Sequence, residues 1–147
     1  MKTVNETAEV GIIVGRFQVP SLHEAHKELI QTVVNKHPRV LIIDDLTESV
    51  GTLIEAAQTC RDHGADLIYV AVTHGCFNRS VAFPRLNKAF NEGVINKFFV
   101  SNTVNFSFVS DRLETSEMLE TVDISPVFAK AILNINKNES VSELFSV

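Results

Sequence analysis

The chain has 147 residues, 45% of them apolar, which is enough for one domain with its own hydrophobic core. With 18 acidic and 13 basic residues the net charge is −5, which argues against non-specific binding to nucleic acid, because that needs a basic face. The longest apolar runs are too short to cross a bilayer, and the start MKTVNETAEV lacks the apolar core of a signal peptide.

Short apolar runs alternate with helix-like segments along the chain. The runs predict strands at residues 10–14, 40–43, 67–72, 97–103 and 119–124, and helices are predicted at residues 21–37, 52–63, 84–92 and 125–136. Residues 106–109 are compatible with either a hairpin strand or a loop. The segment 1–9 is expected to be a flexible N-terminus.

Capping residues mark the ends of these helices. Ser21 with Glu24 three residues later forms a capping-box pattern, so we expect Ser21 to cap the first helix. Gly64 is typical of the end of a helix, and Ser125 is expected to cap the last helix, with Pro126 in its first turn.

The strands read as continuous apolar runs rather than alternating ones. Continuous runs that alternate with helices are typical of a parallel sheet with helices on both faces, so we expect a single α/β domain over residues 1–147. Ligands of such sheets bind beyond the carboxyl ends of the strands.

The stretch VLIIDDLTESVGTL places two adjacent acids, Asp44 and Asp45, at the predicted end of the second strand. The loop TESVGT leads from there into a helix N-terminus, whose N–H groups and dipole attract anions. Acids beside an anion cradle suit a sugar phosphate, whose hydroxyls they hold directly or through Mg²⁺. The alternative is that both acids are solvated turn residues and that Glu48 caps the helix.

Four motifs over residues 39–147 resemble the C-terminal half of ribose-phosphate pyrophosphokinase, also called phosphoribosyl pyrophosphate synthetase. They are the loop IDDLTESVGTL, the turn THG at residues 73–75, the strand end SNT at residues 101–103 and the closing segment ISPVFAKAILNINKNESVSELF. The resemblance implies a type I phosphoribosyltransferase fold. It also implies catalytic roles for Asp44, Asp45 and Glu48, with Mg²⁺ on the first two. The ribose-phosphate-binding residues that it implies are Ser49, Val50, Gly51 and Thr52.

Three positions of the loop depart from the family pattern. Glu48 replaces an aspartate, Ser49 replaces a threonine and Val50 replaces a glycine. The valine matters most, because a β-branched residue resists the positive φ that glycine permits and adds bulk beside the phosphate. We therefore expect a weakened phosphate cradle. The family's N-terminal domain, which supplies much of its ATP site, is not found in this chain.

Residues 11–43 resemble a different family, the nicotinamide-nucleotide adenylyltransferases. The motif GRFQ occupies residues 15–18, and the HxGH motif of that family corresponds to His23-Glu24-Ala25-His26. This resemblance implies a nucleotide-binding role for Gly15, Phe17, His23 and His26. Ala25 in place of glycine and the lack of the family's late SxTxxR-type motif argue against a complete adenylyltransferase site. Without the GRFQ context, His23 and His26 are simply surface residues of a helix.

We therefore interpret the chain as a nucleotidyltransferase-like β-α-β unit, residues 11–43, joined to a phosphoribosyltransferase-like body, residues 39–147. Three functions remain open: a ribose-phosphate pyrophosphokinase-like protein that binds ribose 5-phosphate or phosphoribosyl pyrophosphate, an ATP-dependent adenylyltransferase, and a non-catalytic subunit of a full-length synthetase. A homo-oligomer is the other expected assembly, and neither a nucleic acid nor a membrane is expected as a partner. Cys60 and Cys76 form no disulfide framework, so we expect a reducing, cytoplasmic setting.

Overall fold

The computed structural model describes residues 10–15, 22–105 and 116–145. Five strands form one sheet: Gly11–Val14 (β1), Arg39–Thr47 (β2), Leu67–Gly75 (β3), Lys97–Ser101 (β4) and Leu119–Val122 (β5). Four α-helices accompany them: Glu24–Val34 (α1), Gly51–Asp62 (α2), Arg79–Asn91 (α3) and Ser125–Asn136 (α4). Two short 3₁₀ helices lie at Ser116–Met118 and Ser142–Phe145. Within the described ranges no helix is both long and apolar enough to cross a membrane.

The strands lie side by side in chain order, and every neighbouring pair is parallel. A right-handed crossover that always moves to the next strand places each connecting helix on the same face of the sheet. The predicted mainly parallel α/β sheet is confirmed. We expected helices on both faces, whereas α1, α2 and α3 share one face, because the strand order never reverses direction.

The hydrophobic core lies between these three helices and one face of the sheet. Ile42, Val70 and Phe98 occupy one row across β2, β3 and β4, and all three are fully buried. Leu53 of α2 and Leu86 of α3 pack into the same core. The core therefore anchors the N-terminal ends of the helices at the carboxyl edge of the sheet.

The other face of the sheet, called the open face below, is apolar but largely uncovered. It consists of two rows that run across neighbouring strands: Ile12, Leu41 and Tyr69, and then Val14, Ile43, Ala71 and Phe99. Ile12 is 58% exposed and Val14 is 47% exposed, although both lie in a strand. The expectation of continuous apolar strands was correct, but only one of their two faces is buried in the core.

Two strands are longer than predicted. β2 continues to Thr47 and β3 to Gly75, because the pairing of Asp44 with Val72 extends through Leu46 and His74. Asp44 and Asp45 therefore lie inside a strand rather than after it. β4 is shorter than predicted and ends at Ser101.

The helix boundaries also differ from the predicted ones. α1 begins at Glu24 with His23 as its N-cap, and the predicted cap Ser21 lies outside the described residues. α3 begins at Arg79, five residues before the predicted start at Pro84, because the carbonyl of Asn78 accepts the amides of Val81 and Ala82. The predicted segments 1–9 and 106–109 also lie outside the described residues.

Candidate functional site

The loop between β2 and α2 contains a non-glycine residue in the left-handed region. Val50, the N-cap of α2, has φ 55° and ψ 2°. An L-residue in this conformation costs about 1–2 kcal/mol. The side chain of Val50 is 1% exposed, and full burial of a valine contributes about 1.5–3 kcal/mol, which offsets that cost. Val50 therefore adopts the positive φ that its β-branched side chain resists, because burial in the core compensates.

The N-terminus of α2 faces a cation instead of an acid. Its first turn contains no acidic residue, and no side chain caps it. The Arg85 guanidinium of α3 reaches this end and donates from Nη1 to the Ser49 carbonyl at 3.2 Å. A Cβ on Gly51 would lie 2.9 Å from the same Nη1, so the guanidinium lies directly against the first turn. A helix N-terminus and a guanidinium carry charge of the same sign, and together they favour an anion on the solvent side of both.

A cleft of about 660 Å³ opens at this point between α2 and α3. Its lining includes Ser49, Gly51 and Thr52 from the predicted loop, and Arg85 and Lys88 from α3. Glu55 and Glu92 also line it, and Glu92 lies 3.8 Å from Lys88, so Arg85 is the cation nearest the loop. The structure therefore places three of the four predicted ribose-phosphate-binding residues beside two cations. Val50, the fourth, points into the core.

The two adjacent acids are not brought together. Successive side chains of a strand point to opposite faces of the sheet. Asp44 is 4% exposed on the core face, while Asp45 is exposed. The amide of Asp45 donates to Asp44 Oδ1 at 2.8 Å, which helps to stabilise the buried carboxylate. Among the described residues no group of three potential metal-binding side chains occurs.

Glu48, the third acid of the loop, does not cap α2, because that cap position belongs to Val50. Its side chain is exposed, and its carbonyl accepts the Asn78 amide at 2.8 Å. This bond joins the loop to the beginning of α3, the same helix that carries Arg85. The conformation of the loop therefore depends on α3 at two points.

A hydroxyl network connects the ends of β3 and β4. Ser101 Oγ and Thr103 Oγ1 lie 2.5 Å and 3.0 Å from the carbonyl oxygen of Thr73, so both hydroxyls donate to it. His74 Nδ1 lies 2.9 Å from Thr103 Oγ1, whose proton is already used. With both hydroxyls directed at that carbonyl, the arrangement favours a proton on Nδ1 of neutral His74 and the lone pair on Nε2. Sequence reasoning offered a backbone partner for His74, whereas the partner observed is a side chain.

The predicted nucleotide-binding residues lie around the N-terminus of α1. His23 is its N-cap, and the rings of His23 and His26 stack with centroids 5.8 Å apart. Gly15 lies at the end of β1, where its amide donates to the Ile43 carbonyl at 3.2 Å. Phe17 lies outside the described residues. Both imidazoles therefore lie on one face near a helix N-terminus.

The joint between β5 and α4 is held by a cluster that sequence reasoning missed. Asn102 Nδ2 donates to Asp123 Oδ1 at 2.6 Å, and Asn102 Oδ1 accepts the Ile124 amide at 3.0 Å. Asp123 Oδ1 also accepts the Ser125 amide at 2.9 Å. Hydrogen bonds from Ser125, and then from Asn102, hold the pKa of Asp123 below its usual value. The only signal in the sequence was the Asp-x-Ser pattern before Pro126.

Comparisons with known proteins agree with this architecture. The family model of the phosphoribosyl synthetase-associated domain matches residues 4–146. The crystal structure of phosphoribosylpyrophosphate synthetase from Mycobacterium smegmatis superposes with a TM-score of 0.61, covering 90% of this chain and 47% of that one. At 18% identity, this likeness shows the fold alone.

Curated relatives are more similar in sequence. Ribose-phosphate pyrophosphokinase of Mycoplasma pneumoniae is 35% identical over 114 residues, which cover 78% of this chain and 33% of the relative. Ribose-phosphate pyrophosphokinase 2 of Saccharomyces cerevisiae is 36% identical over 106 residues, which cover 72% of this chain and 30% of the relative. The chain thus spans about a third of the length of these relatives. It belongs to the phosphoribosyl synthetase-associated domain family and is related to the phosphoribosyl pyrophosphate synthetases.

Proposed function

We propose that residues 44–52 bind ribose 5-phosphate or phosphoribosyl pyrophosphate, with the phosphate in the cleft, beside both the first turn of α2 and the guanidinium of Arg85. The observation that carries this proposal is the convergence of that guanidinium and an acid-free helix N-terminus on one cleft. The names of the relatives, ribose-phosphate pyrophosphokinases, point to the same ligand class.

The acids of the loop have different proposed roles. Asp45 and Glu48 are exposed, and their carboxylates accept hydrogen bonds from ribose hydroxyls. Mg²⁺ usually takes one or two carboxylates together with substrate phosphates, so Asp45 fits as a ligand of Mg²⁺ shared with the bound phosphate. That ion supplies charge neutralisation. Asp44 supports the loop from inside the sheet and does not share the ion.

If the chain is active, the reaction is that of a ribose-phosphate diphosphokinase, a transferase of nucleotide biosynthesis. The ribose 1-hydroxyl oxygen forms a bond to the β-phosphorus of ATP, the bond from that phosphorus to the oxygen of the α-phosphate breaks, and AMP leaves. The hydroxyl proton passes to a neighbouring base. Catalysis would rest on positioning and on charge neutralisation. An exposed thiol and a buried thiol, both unpaired, fit a reducing compartment such as the cytoplasm.

Binding is tested by thermal unfolding with ribose 5-phosphate and Mg²⁺. A ligand at a hundred times its Kd stabilises by about 2.7 kcal/mol, which raises the Tm of a chain of this size by about 5–10 °C. Arg85→Met should weaken binding about tenfold or more, because it removes a charge-assisted hydrogen bond. Lys130→Met, which removes one positive charge from the exposed part of α4, is the matched control and should bind like the unchanged chain.

Two results would contradict the proposal. One is no shift in Tm at millimolar ribose 5-phosphate. The other is that Arg85→Met and Lys130→Met weaken ligand binding equally, since this would mean that Arg85 acts only through the net charge of the chain.

A second candidate function is adenylyl transfer from ATP. The stacked pair His23 and His26 at the N-terminus of α1 favours it, because imidazoles and helix amides there suit the phosphates of a nucleotide. The resemblance of residues 11–43 to the adenylyltransferases rests on the same residues. Stabilisation by ATP alone that His26→Ala removes would support this function. A third candidate, association with a full-length synthetase, predicts co-purification of the two proteins.

A further inference from the structure

Uncovered apolar surface is concentrated at two places in the described part of the chain. Of its eleven exposed large apolar residues, nine lie either on the open side of the sheet or on α4. Those on the sheet are Ile12, Val14, Tyr69 and Val122, and those on α4 are Val127, Phe128, Ile132, Leu133 and Ile135. Val122 extends the open face to β5, because it is in register with Ser101. A concentrated apolar patch marks an interaction surface, unlike scattered single residues.

Four of the α4 residues form one stripe. At 100° per residue, Val127, Phe128, Ile132 and Ile135 fall within about 140° of the helix circumference. Each of them is 53–66% exposed. Leu133 lies outside this sector, although it is adjacent to Ile132 in sequence. The stripe has the width of a helix face that is normally buried in a core.

α4 does not cover the open face of its own sheet. Its first six residues, 125–130, are all exposed. The cluster of Asn102, Asp123 and Ser125 fixes the direction in which the helix leaves β5. The one buried residue of α4, Asn134, donates to the carbonyl of Ser140 and so holds the following chain rather than the sheet. Among the described residues, neither surface is covered by the other.

We propose that two copies of this chain exchange α4, so that the stripe of each copy lies on the open face of the other. The two surfaces match in size: twelve helical residues span about 18 Å, and five strands span about 19 Å. A two-fold exchange makes the contact twice, so each helix–sheet contact needs to bury only about half of the ~1,600 Å² that is typical of a stable interface. A second copy is the occupant that satisfies both surfaces at once.

Sedimentation of the full chain tests the exchange at concentrations up to about 100 µM, which covers dimers of ordinary affinity. The expected species is a dimer of twice the 16.3 kDa chain mass. Ile132→Asp on the stripe and Ile12→Asp on the open face should each weaken dimerisation about tenfold or more. Leu133→Asp, one residue away on the same helix, should leave it unchanged. Circular dichroism of each variant checks that the fold is retained.

Mixing the two defective variants separates exchange from any other apolar contact. In a heterodimer of Ile132→Asp and Ile12→Asp, both substitutions fall in the same contact, and the other contact is unchanged. The mixture should therefore associate more tightly than either variant alone.

The proposal is independent of any ligand and fails on any of three results. These are a wild-type chain that stays monomeric, equal loss of dimer in Leu133→Asp and Ile132→Asp, and a mixture no tighter than its components. A monomer that binds only a full-length synthetase would be the first of these results.

Discussion

Replacement of Val50 tests whether this residue has a positive φ. Val50→Ala removes two buried methyl groups but leaves an L-residue in the left-handed region, so we expect a loss of about 2 kcal/mol in the free energy of unfolding. Val50→Gly loses about 0.8 kcal/mol more for the third methyl and about 0.4–1 kcal/mol through the unfolded chain. It also regains about 1–2 kcal/mol of backbone strain.

These terms nearly cancel, so the Gly and Ala variants should be equally stable within about 1 kcal/mol. Urea unfolding followed by circular dichroism measures the difference. Ala56→Gly is the control, because Ala56 is fully buried in the same helix at an ordinary helical φ. It should cost about 1.5–2 kcal/mol from lost burial and helix propensity.

The reasoning is refuted if Val50→Gly is less stable than Val50→Ala by as much as Ala56→Gly is less stable than the unchanged chain. That result would mean that glycine relieves no strain at position 50. The same variants can be titrated with ribose 5-phosphate. Val50→Gly should bind about as tightly as the unchanged chain, because glycine keeps the backbone conformation and the valine side chain lies in the core, away from the cleft.

Three further predictions concern titratable groups. Burial raises the pKa of Cys60 to about 12, so a thiol reagent near pH 8 should label Cys76 alone until the chain unfolds. This pKa lies above the 9.0 of an unfolded thiol, so the contribution of Cys60 to the free energy of unfolding is complete below pH 9 and is lost as the pH rises towards 12. At pH 10 the free energy of unfolding should be lower by about 1.4 kcal/mol, and Cys60→Ala should abolish this pH dependence. Nitrogen NMR should find the proton of neutral His74 on Nδ1, and Thr103→Val should shift it towards Nε2; an Nε2 proton in the unchanged chain would contradict the hydroxyl network. The pKa of Asp123 is lowered, so the stabilisation by its carboxylate is present above pH 3.8 and is lost as the pH falls below that value. Hydrogen exchange of the α4 amides should then accelerate at low pH, and Asp123→Asn should remove this pH dependence.

Much of the fold could be predicted because it is encoded over short stretches of sequence. The β-branched runs predicted all five strands, and alternation with helices predicted their parallel pairing. The motif TESVGT correctly located the loop before α2. The ends of β2 and β3 were predicted too early, because the pairing of Leu46 with His74 prolongs both strands. These two residues are 28 positions apart, so the pairing cannot be read from local sequence.

The candidate site was predicted only in part for the same reason. The loop residues 49–52 were identified, but Arg85, which lies against the loop, is 36 residues away in sequence and was not among the predicted site residues. The positive φ of Val50 could not be foreseen either, since local sterics oppose it and burial in the core compensates.

The sequence by itself determined the elements, their order and the acidic and polar residues at the carboxyl edge of the sheet, because periodicity and capping act within a few residues. Only the tertiary structure decided which face of the sheet is covered, where the guanidinium lies and which hydroxyl lies beside the His74 ring. These features depend on contacts between segments far apart in the chain, where crossover handedness and burial outweigh local preference.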